Sequence, residues 1–590
     1  SSNFQLRETA NLERVEVLKG PASVLYGTLE PGGIVNLVSK QPLENPFYAV
    51  SFTGGGFTTL EPSLDFSGPL NAEGTVLYRR NALVESRDVF RDFEQDVERR
   101  FIAPTVTWQI SDRTDITLQF SYLDDERPSD RGIVAIGNDI EALPFERVLG
   151  EPDDVVEVES LNTGYLLEHQ FSDSWRLRNN FRFNSYDRSA NLTDVRSINE
   201  ETGIANRAWL STNFQGESYA LQTNVVGEFA TGSVEHTLLL GIDLLREDNS
   251  LDNRFSEDPD APGERGGAPS INIFDPVYGL APRPTRDELL STPFRFISDA
   301  RTDSLGIYLQ NQINLSEQWQ LLAGGRFDIV NQRTDLDGGG FGGSSSSQQQ
   351  EEAFSPRIGI VYQPVETLSL YASFARSFVP NSSVDENGSL LEPERGTQYE
   401  VGIKGDFLDG NLSATLAAFD INKTNIAIAD PDLPGVSRPI GEQRSRVIEL
   451  DLNGEILPGW NIFASYAYTD AEITEDDGSE VEGNRLFGVP EHAASLWTTY
   501  EIQEGDLQGL GFGVGIFFVG EREVDNDNSF QVPSYARTDA SIFYLRDSWR
   551  AALNFKNLFD IDYIESVPGF NESAFPGTPL TILASFSVEF

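Results

Sequence analysis

The sequence predicts an all-β chain, a transmembrane antiparallel β-barrel of about 22 strands. Three observations carry this reading. From Phe47 onward apolar and polar residues alternate with period two, as they do along a strand with two unlike faces. The polar faces carry charges and large polar groups, which suit a wet lumen and not a dry core. The connections come in two kinds, tight turns and long polar stretches, the asymmetry of a barrel with one short-turn rim and one long-loop rim.

The alternation is plain in three places. In ETLSLYASF (366–374), Leu368, Leu370, Ala372 and Phe374 share one face, and Thr367, Ser369, Tyr371 and Ser373 the other. In SWRAALNFKN, Trp549, Ala551, Leu553 and Phe555 alternate with Arg550, Ala552, Asn554 and Lys556. At the end of the chain Leu580, Ile582, Ala584, Phe586, Val588 and Phe590 alternate with Thr581, Leu583, Ser585, Ser587 and Glu589. Strands of roughly ten residues match a tilted membrane crossing. In lipid an open sheet edge would leave its N–H and C=O groups unpaired, so the sheet must close. LDGNL (408–412) and LSEQW (315–319) read as tight turns. DGGGFGGSSSSQQQEE (337–352), residues 247–270 and residues 472–484 read as long loops. Residues 47–590 shared among about 22 strands leave about 25 residues per strand and loop, and a range of 18 to 24 strands fits as well.

Composition narrows the function. The 590 residues carry a net charge of −50, which repels phosphates and excludes a nucleic-acid partner. Aromatics at 11% argue against disorder. With no cysteine there is no disulfide framework, thiolate metal site or cysteine nucleophile. His169, His236 and His492 lie far apart and form no metal-binding motif, so no metal site is expected. Without a GxSxG elbow or a nucleophile–base pair, no enzyme is expected. No apolar run is long enough for a transmembrane helix.

The stretch VEVLKGPASVLYGTLEPGGIVNLVSK (15–40) differs from the rest. Its glycines lack the GxGxxG or Gly-Lys-Ser/Thr context of a phosphate loop and read as turn residues able to take positive φ. NLERVEVLKGPASVLYGTLEPGGIVNLVSKQP (11–42) closely resembles the end of the plug domain of TonB-dependent outer-membrane siderophore receptors. SFVPNSSVDENGSLLEPERGTQYEVGIK (377–404), INKTNIAIADP (421–431), YAYTDAEIT (466–474), GVPEHAASLW (488–497) and NFKNLFDIDY (554–563) extend the likeness to the ferrichrome-type, hydroxamate subgroup. The resemblance implies a 22-stranded barrel at 47–590 around the C-terminal remnant of a plug at 1–46. Family members carry roughly a hundred further plug residues and a TonB-interacting segment ahead of this point, so most of the plug and the TonB box are expected to lie outside this sequence.

The resemblance further implies TonB-dependent uptake of a ferric siderophore across the outer membrane of a Gram-negative-type bacterium. It implies no intrinsic cofactor, and as partners the TonB–ExbB–ExbD complex and the lipid and lipopolysaccharide of that membrane, with the protein a monomer. A receptor for ferrichrome or another metal chelate, or a passive porin, is the alternative. By motif, Lys19 stands where a plug cation falls, Glu400 and Glu449 match two barrel glutamates that hold it, and Phe590 is the terminal aromatic read in barrel assembly. Glu400 and Glu449 as solvated lumen residues is the other reading. In the regions that present ligand-binding aromatics in the ferrichrome-type subgroup, RPSDRGIVAIG (127–137) and NLTDVRSIN (191–199), the aromatics are absent and Arg131 and Arg196 stand at or near their positions. An arginine fork suits carboxylate, so the expected ligand is an anionic citrate–hydroxamate chelate of the schizokinen or aerobactin type. Both arginines as ordinary solvated loop residues is equally open. The acidic loop residues Asp153, Asp154, Glu475, Asp476, Asp477, Glu521, Asp525 and Asp527 read as solvating groups or as divalent-cation bridges.

Overall fold

The computed structural model describes residues 6–20, 23–93, 95–256, 267–339, 343–381, 383–385, 389–429, 437–475, 481–568 and 573–590. One closed antiparallel sheet dominates. It holds 23 strands among the described residues, of which the five-residue Ala268–Asn272 is an added rail on a loop hairpin, leaving 22 that run round the wall. Closure comes from the first wall strand, Phe47–Gly55, pairing with the last, Thr581–Glu589. Phe590 completes the seam: its N–H donates to the Tyr48 carbonyl at 2.9 Å and its carbonyl accepts from the Tyr48 N–H at 3.3 Å. The residue as a whole stays 77% exposed.

The connections at one rim are short, from two residues (112–113, 366–367) to eight (502–509). Those at the other include 129–154, 256–294, 520–534 and 557–580. Both expected tight turns fall on the short rim. The expected loop at 337–352 is corrected. Ser344–Val365 is one strand, and its polar start pairs in register with Trp319–Asp337, Ser344 opposite Asp337 and Gln350 opposite Asn331. Residues 247–255 and 472–475 are likewise strand. These hairpins run past the membrane, where the outer face meets water and not hydrocarbon. The backbone ladder holds them with cross-strand pairs such as Arg301–Asp248 and Arg295–Asp337 and a few buried side chains such as Ile473, so regular apolar alternation is not required and composition misleads.

Register sorts the outer wall into bands. Phe181, Leu221, Leu244, Leu305 and Ile329 lie side by side across five strands. Two residues nearer the long-loop rim the same outer face reads Phe183, Tyr219, Arg246, Asp303 and Asn331. The step from apolar to charged marks where hydrocarbon gives way to water. Inside the sheet, aromatic rings cover cross-strand glycines: Tyr371 lies over Gly402 and Tyr308 over Gly241. A Cβ on Gly402 would stand 2.4 Å from the Tyr371 ring.

Besides clusters on the wall strands, such as Leu83, Phe101, Ala103 and Leu123, two packed apolar cores are built largely from the long loops. Ile133, Val524, Phe530, Val532, Ile564 and Ala574 form one. Val134, Leu143, Leu149, Ala205, Ile271 and Ile273 form another. Short strands stitch the loops together, Ile133–Val134 pairing with Ser573–Pro576, which pairs with Ile564–Ser566.

Gly402→Val is expected to drive Tyr371 from its seat and lower barrel stability by about 1–3 kcal/mol, the usual cost of overpacking. Heat-modifiable gel mobility across a temperature series measures it.

Candidate functional site

The lumen site grows from a small hairpin. Leu12–Lys19 pairs antiparallel with Gly33–Ser39, and a short helical turn, Ser23–Tyr26, lies between them. Gly27 and Gly33 take positive φ, 83° and 128°, as turn residues do. Gly27 also lets the turn approach the wall: a Cβ there would be 3.1 Å from the Arg326 guanidinium. Arg326 is itself buried, held by Asp243 at 2.5 Å and Asp328 at 2.7 Å.

Lys19 closes the hairpin and points at the wall. Its ammonium donates to Glu449 at 2.6 Å and to Asp451 at 2.9 Å. Burial works against the Lys19 charge, but these two hydrogen bonds outweigh it and the net direction is upward. Glu400 turns to partners on the wall instead of Lys19. Its carboxylate accepts from the Tyr371 hydroxyl at 2.9 Å and from the Gln398 amide at 3.1 Å. The motif match did not include Asp451, although it lies two residues from Glu449 and so on the same strand face. Three further ion-pair groups between hairpin segment and wall went unread. Lys423 joins Glu30 and Glu394. Asp65 joins Lys40 and Arg79. Arg99 joins Glu8, Glu85 and Asp125.

The second site lies among the long loops. Arg131 and Arg196 come together on one carboxylate, Asp194, at 2.9 and 3.3 Å. The Arg196 guanidinium also stands 5.0 Å from the Phe255 ring centroid. Both arginines line a cavity of about 480 Å³ shared with Asp194, Glu200, Asp525 and Asp527. Arg131 also lines a second chamber, about 490 Å³, beside Arg87, Arg91, Arg127 and Arg188.

The walls of these chambers are fixed by buried charge. The Arg207 side chain is 0% exposed and lies 2.6 Å from Glu151, which is 3% exposed. Arg207 also donates to the carbonyls of Leu149, Gly150 and Pro269. The other Glu151 oxygen accepts from the Gly279 N–H at 2.8 Å. Arg283 reaches Asp153 and Asp154 and lies 4.5 Å from the Trp209 ring centroid. Tyr278 donates to the Val148 carbonyl at 2.9 Å, and burial, with Asp92, pushes its hydroxyl up to about 12. Asp154 is therefore structural and not a solvating group. It accepts from the Thr193 N–H and hydroxyl, and burial pushes its carboxyl up against the pull of Arg283. Asp525 caps its own loop through Ser529. Glu475, Glu521 and Asp527 are exposed, and Asp476 and Asp477 lie outside the described residues.

Each histidine sits beside an aromatic ring: His169 by Phe171, His236 by Phe229, His492 by Tyr468. Among the described residues no group of three or more His, Cys, Asp or Glu side chains is placed to hold a metal.

A barrel wrapped round a short hairpin, with charged chambers above it, finds its counterpart in known proteins. Residues 107–558 match the model of the TonB dependent receptor-like β-barrel, and residues 1–34 that of the TonB-dependent receptor plug domain. The chain belongs to the TonB-dependent receptors. As such it is an outer-membrane protein of a Gram-negative bacterium, and its relatives are receptors and transporters, not enzymes. It is 35% identical over 594 residues to the metal-pseudopaline receptor of Pseudomonas aeruginosa, covering 99% of this chain and 81% of that one. It is 31% identical to the ferrichrome outer membrane transporter/phage receptor of Escherichia coli, covering 94% and 76%. It is also 31% identical to the ferrioxamine B receptor of Salmonella typhimurium, covering 98% and 80%. Among solved structures, the siderophore receptor PiuA from Acinetobacter baumannii shares the fold with a TM-score of 0.88 at 24% identity, covering 100% of this chain and 88% of that one.

In this receptor Arg207→Met strands the Glu151 carboxylate. Losing one partner of a buried pair costs about 3–5 kcal/mol. The expected result is faster hydrogen exchange in 145–154 and 268–279 while the wall strands keep their protection.

Proposed function

We propose that this receptor takes up an anionic ferric siderophore of the hydroxamate type, a citrate-based dihydroxamate of the schizokinen or aerobactin kind, with energy from TonB–ExbB–ExbD. The observation that carries the reading is the convergence of Arg131 and Arg196 on Asp194 at the wall of the upper cavity. Two guanidinium groups so placed match a carboxylate, and Asp194 occupies the position a ligand carboxylate would take. Exchanging one carboxylate for another leaves the charge balance of the arginines unchanged. Glu200, Asp525 and Asp527 line the same cavity, so the chelate must turn its negative side to the arginines. Relatives named for ferrichrome and ferrioxamine B support uptake of a hydroxamate chelate.

The other assignments follow the same reading. The plug ends at residue 46 and the barrel begins at Phe47, where the first wall strand starts. Lys19 ties plug to wall through Glu449, and Glu400 belongs to the same carboxylate group. Phe590 serves as the assembly signal at the closing seam. The outer charged band at Arg246 and Asp303 lies at headgroup level and faces lipopolysaccharide. A wall with no free edge suits a monomer. A second reading, a different metal chelate, is favoured by the relative named for metal-pseudopaline.

Binding to the purified receptor decides between them, with ferric aerobactin, ferric schizokinen, ferrichrome, ferrioxamine B and metal–pseudopaline as the panel. The expected outcome is preference for the two citrate chelates and a loss of about tenfold or more in Arg131→Ala plus Arg196→Ala, the scale of charged hydrogen bonds removed. Unchanged affinity in the double variant overturns the arginine assignment.

A further inference from the structure

Besides the contacts of Lys40 and Glu8 near its ends, the plug hairpin is fastened to the wall at two levels along the strand Leu412–Ala429 and its neighbours, with opposite polarity. At the lower level a plug cation, Lys19, meets wall carboxylates at 2.6 and 2.9 Å. At the upper level a plug anion meets a wall cation: the Lys423 ammonium lies 2.9 Å from Glu30 of the plug and 2.7 Å from Glu394 of the wall. Glu449 is opposite Ala417 on the strand Leu412–Ala429. Lys423 stands six residues further along that strand, about 20 Å nearer the long-loop rim at ~3.3 Å per residue. The upper contact is also keyed by shape. Gly396 pairs with Lys423, and a Cβ on Gly396 would lie 2.5 Å from Pro31. Glu30 and Pro31 thus occupy a socket built by Glu394, Gly396 and Lys423.

The two fastenings differ in what each leaves behind. When Lys19 departs it hydrates much as Glu30 would, being 47% exposed, but Glu449, 19% exposed, and Asp451, 45% exposed, lose their shared cation and repel each other. Leaving a part-buried charge unpaired is costly. When Glu30 departs, Lys423 keeps Glu394, and Glu30, already 55% exposed, completes its hydration at little cost. We infer that Glu30 and Lys423 are positioning residues that register the upper end of the plug on the wall, and that their contact parts first when the plug moves, while the Lys19 fastening holds longer. This adds a sequence of events to the receptor's action and does not depend on which chelate it carries.

The absence of cysteine from all 590 residues makes single engineered cysteines unique attachment points. Spin labels placed at Thr28→Cys, beside the upper contact, or at Val17→Cys, beside the lower one, report local mobility in the receptor reconstituted in lipid vesicles. In rising urea the label at 28 is expected to loosen at a lower concentration than the label at 17. Glu30→Gln or Lys423→Met is expected to shift only the transition at 28, further down. The exchange Glu30→Lys with Lys423→Glu keeps an ammonium beside two carboxylates, now with both carboxylates on the wall, and is expected to return the transition at 28 to at least its original concentration, which a merely steric contact would not do. Loosening of both positions together, loosening at 17 first, or no shift at 28 in Lys423→Met overturns the inference. Gel mobility of the unheated barrel reads the fold of each variant separately.

Discussion

Every backbone amide in the wall needs a partner on the next strand, because the hydrocarbon outside offers none. That requirement forces the ring to close at Phe47–Gly55 and Thr581–Glu589. It fixes the register, and the register decides which side chains face inward. Lys423 can meet Glu394 only because Gly396 pairs with it and places Glu394 on the adjoining strand end. Tyr371 can reach Glu400 because the ladder sets Gly402, with no side chain, beneath its ring. The charged chemistry of the lumen is in this sense written by main-chain pairing.

The lumen then carries charge in a form that a soluble core would not tolerate. Most wall arginines are held by a carboxylate nearby on the sheet: Arg79 by Asp65, Arg127 by Asp125, Arg326 by Asp243 and Asp328. Such pairs fix geometry more than they stabilise. Some sites depart from pairing within the wall, the groups of Asp65 and Arg99 among them, which also take Lys40 and Glu8 of the plug segment. At Lys19 and Lys423 the partners come from two different parts of the chain, and at Asp194 two arginines share a single carboxylate. These are the places where charge can be redistributed without dismantling the wall.

Much of this was legible in the residues. The alternation at 368–374, 549–555 and 580–590 gave wall strands, and the turns at 315–319 and 408–412 fell on the short rim. The polar tract from Ser344 to Gln350 did not, because a hairpin standing in water needs no apolar face and its serines and glutamines look like loop. Lys19 and Glu449 were reached through resemblance despite lying 430 residues apart. Glu30 with Lys423, and Glu151 with Arg207, were out of reach. Their meeting depends on how the barrel curves and how loops fold over it, and no local pattern encodes either. The reading of Asp154 as a solvating residue failed for the same reason, since its burial comes from Thr193 and Arg283 on other segments.

The two apolar clusters in the long loops have a consequence beyond packing. They give the mouth of the receptor its own cohesion, with Arg207 and Glu151 as an internal bolt. The bolt is shared with the wall, since Arg207 and Ala205 stand on the wall strand Ile204–Thr231, so the mouth is anchored to the cylinder at that one strand end and packs on itself elsewhere. Selection for a new cargo can then act on the loop residues around that anchor, and the lipid-facing bands lower on the cylinder are spared every such experiment.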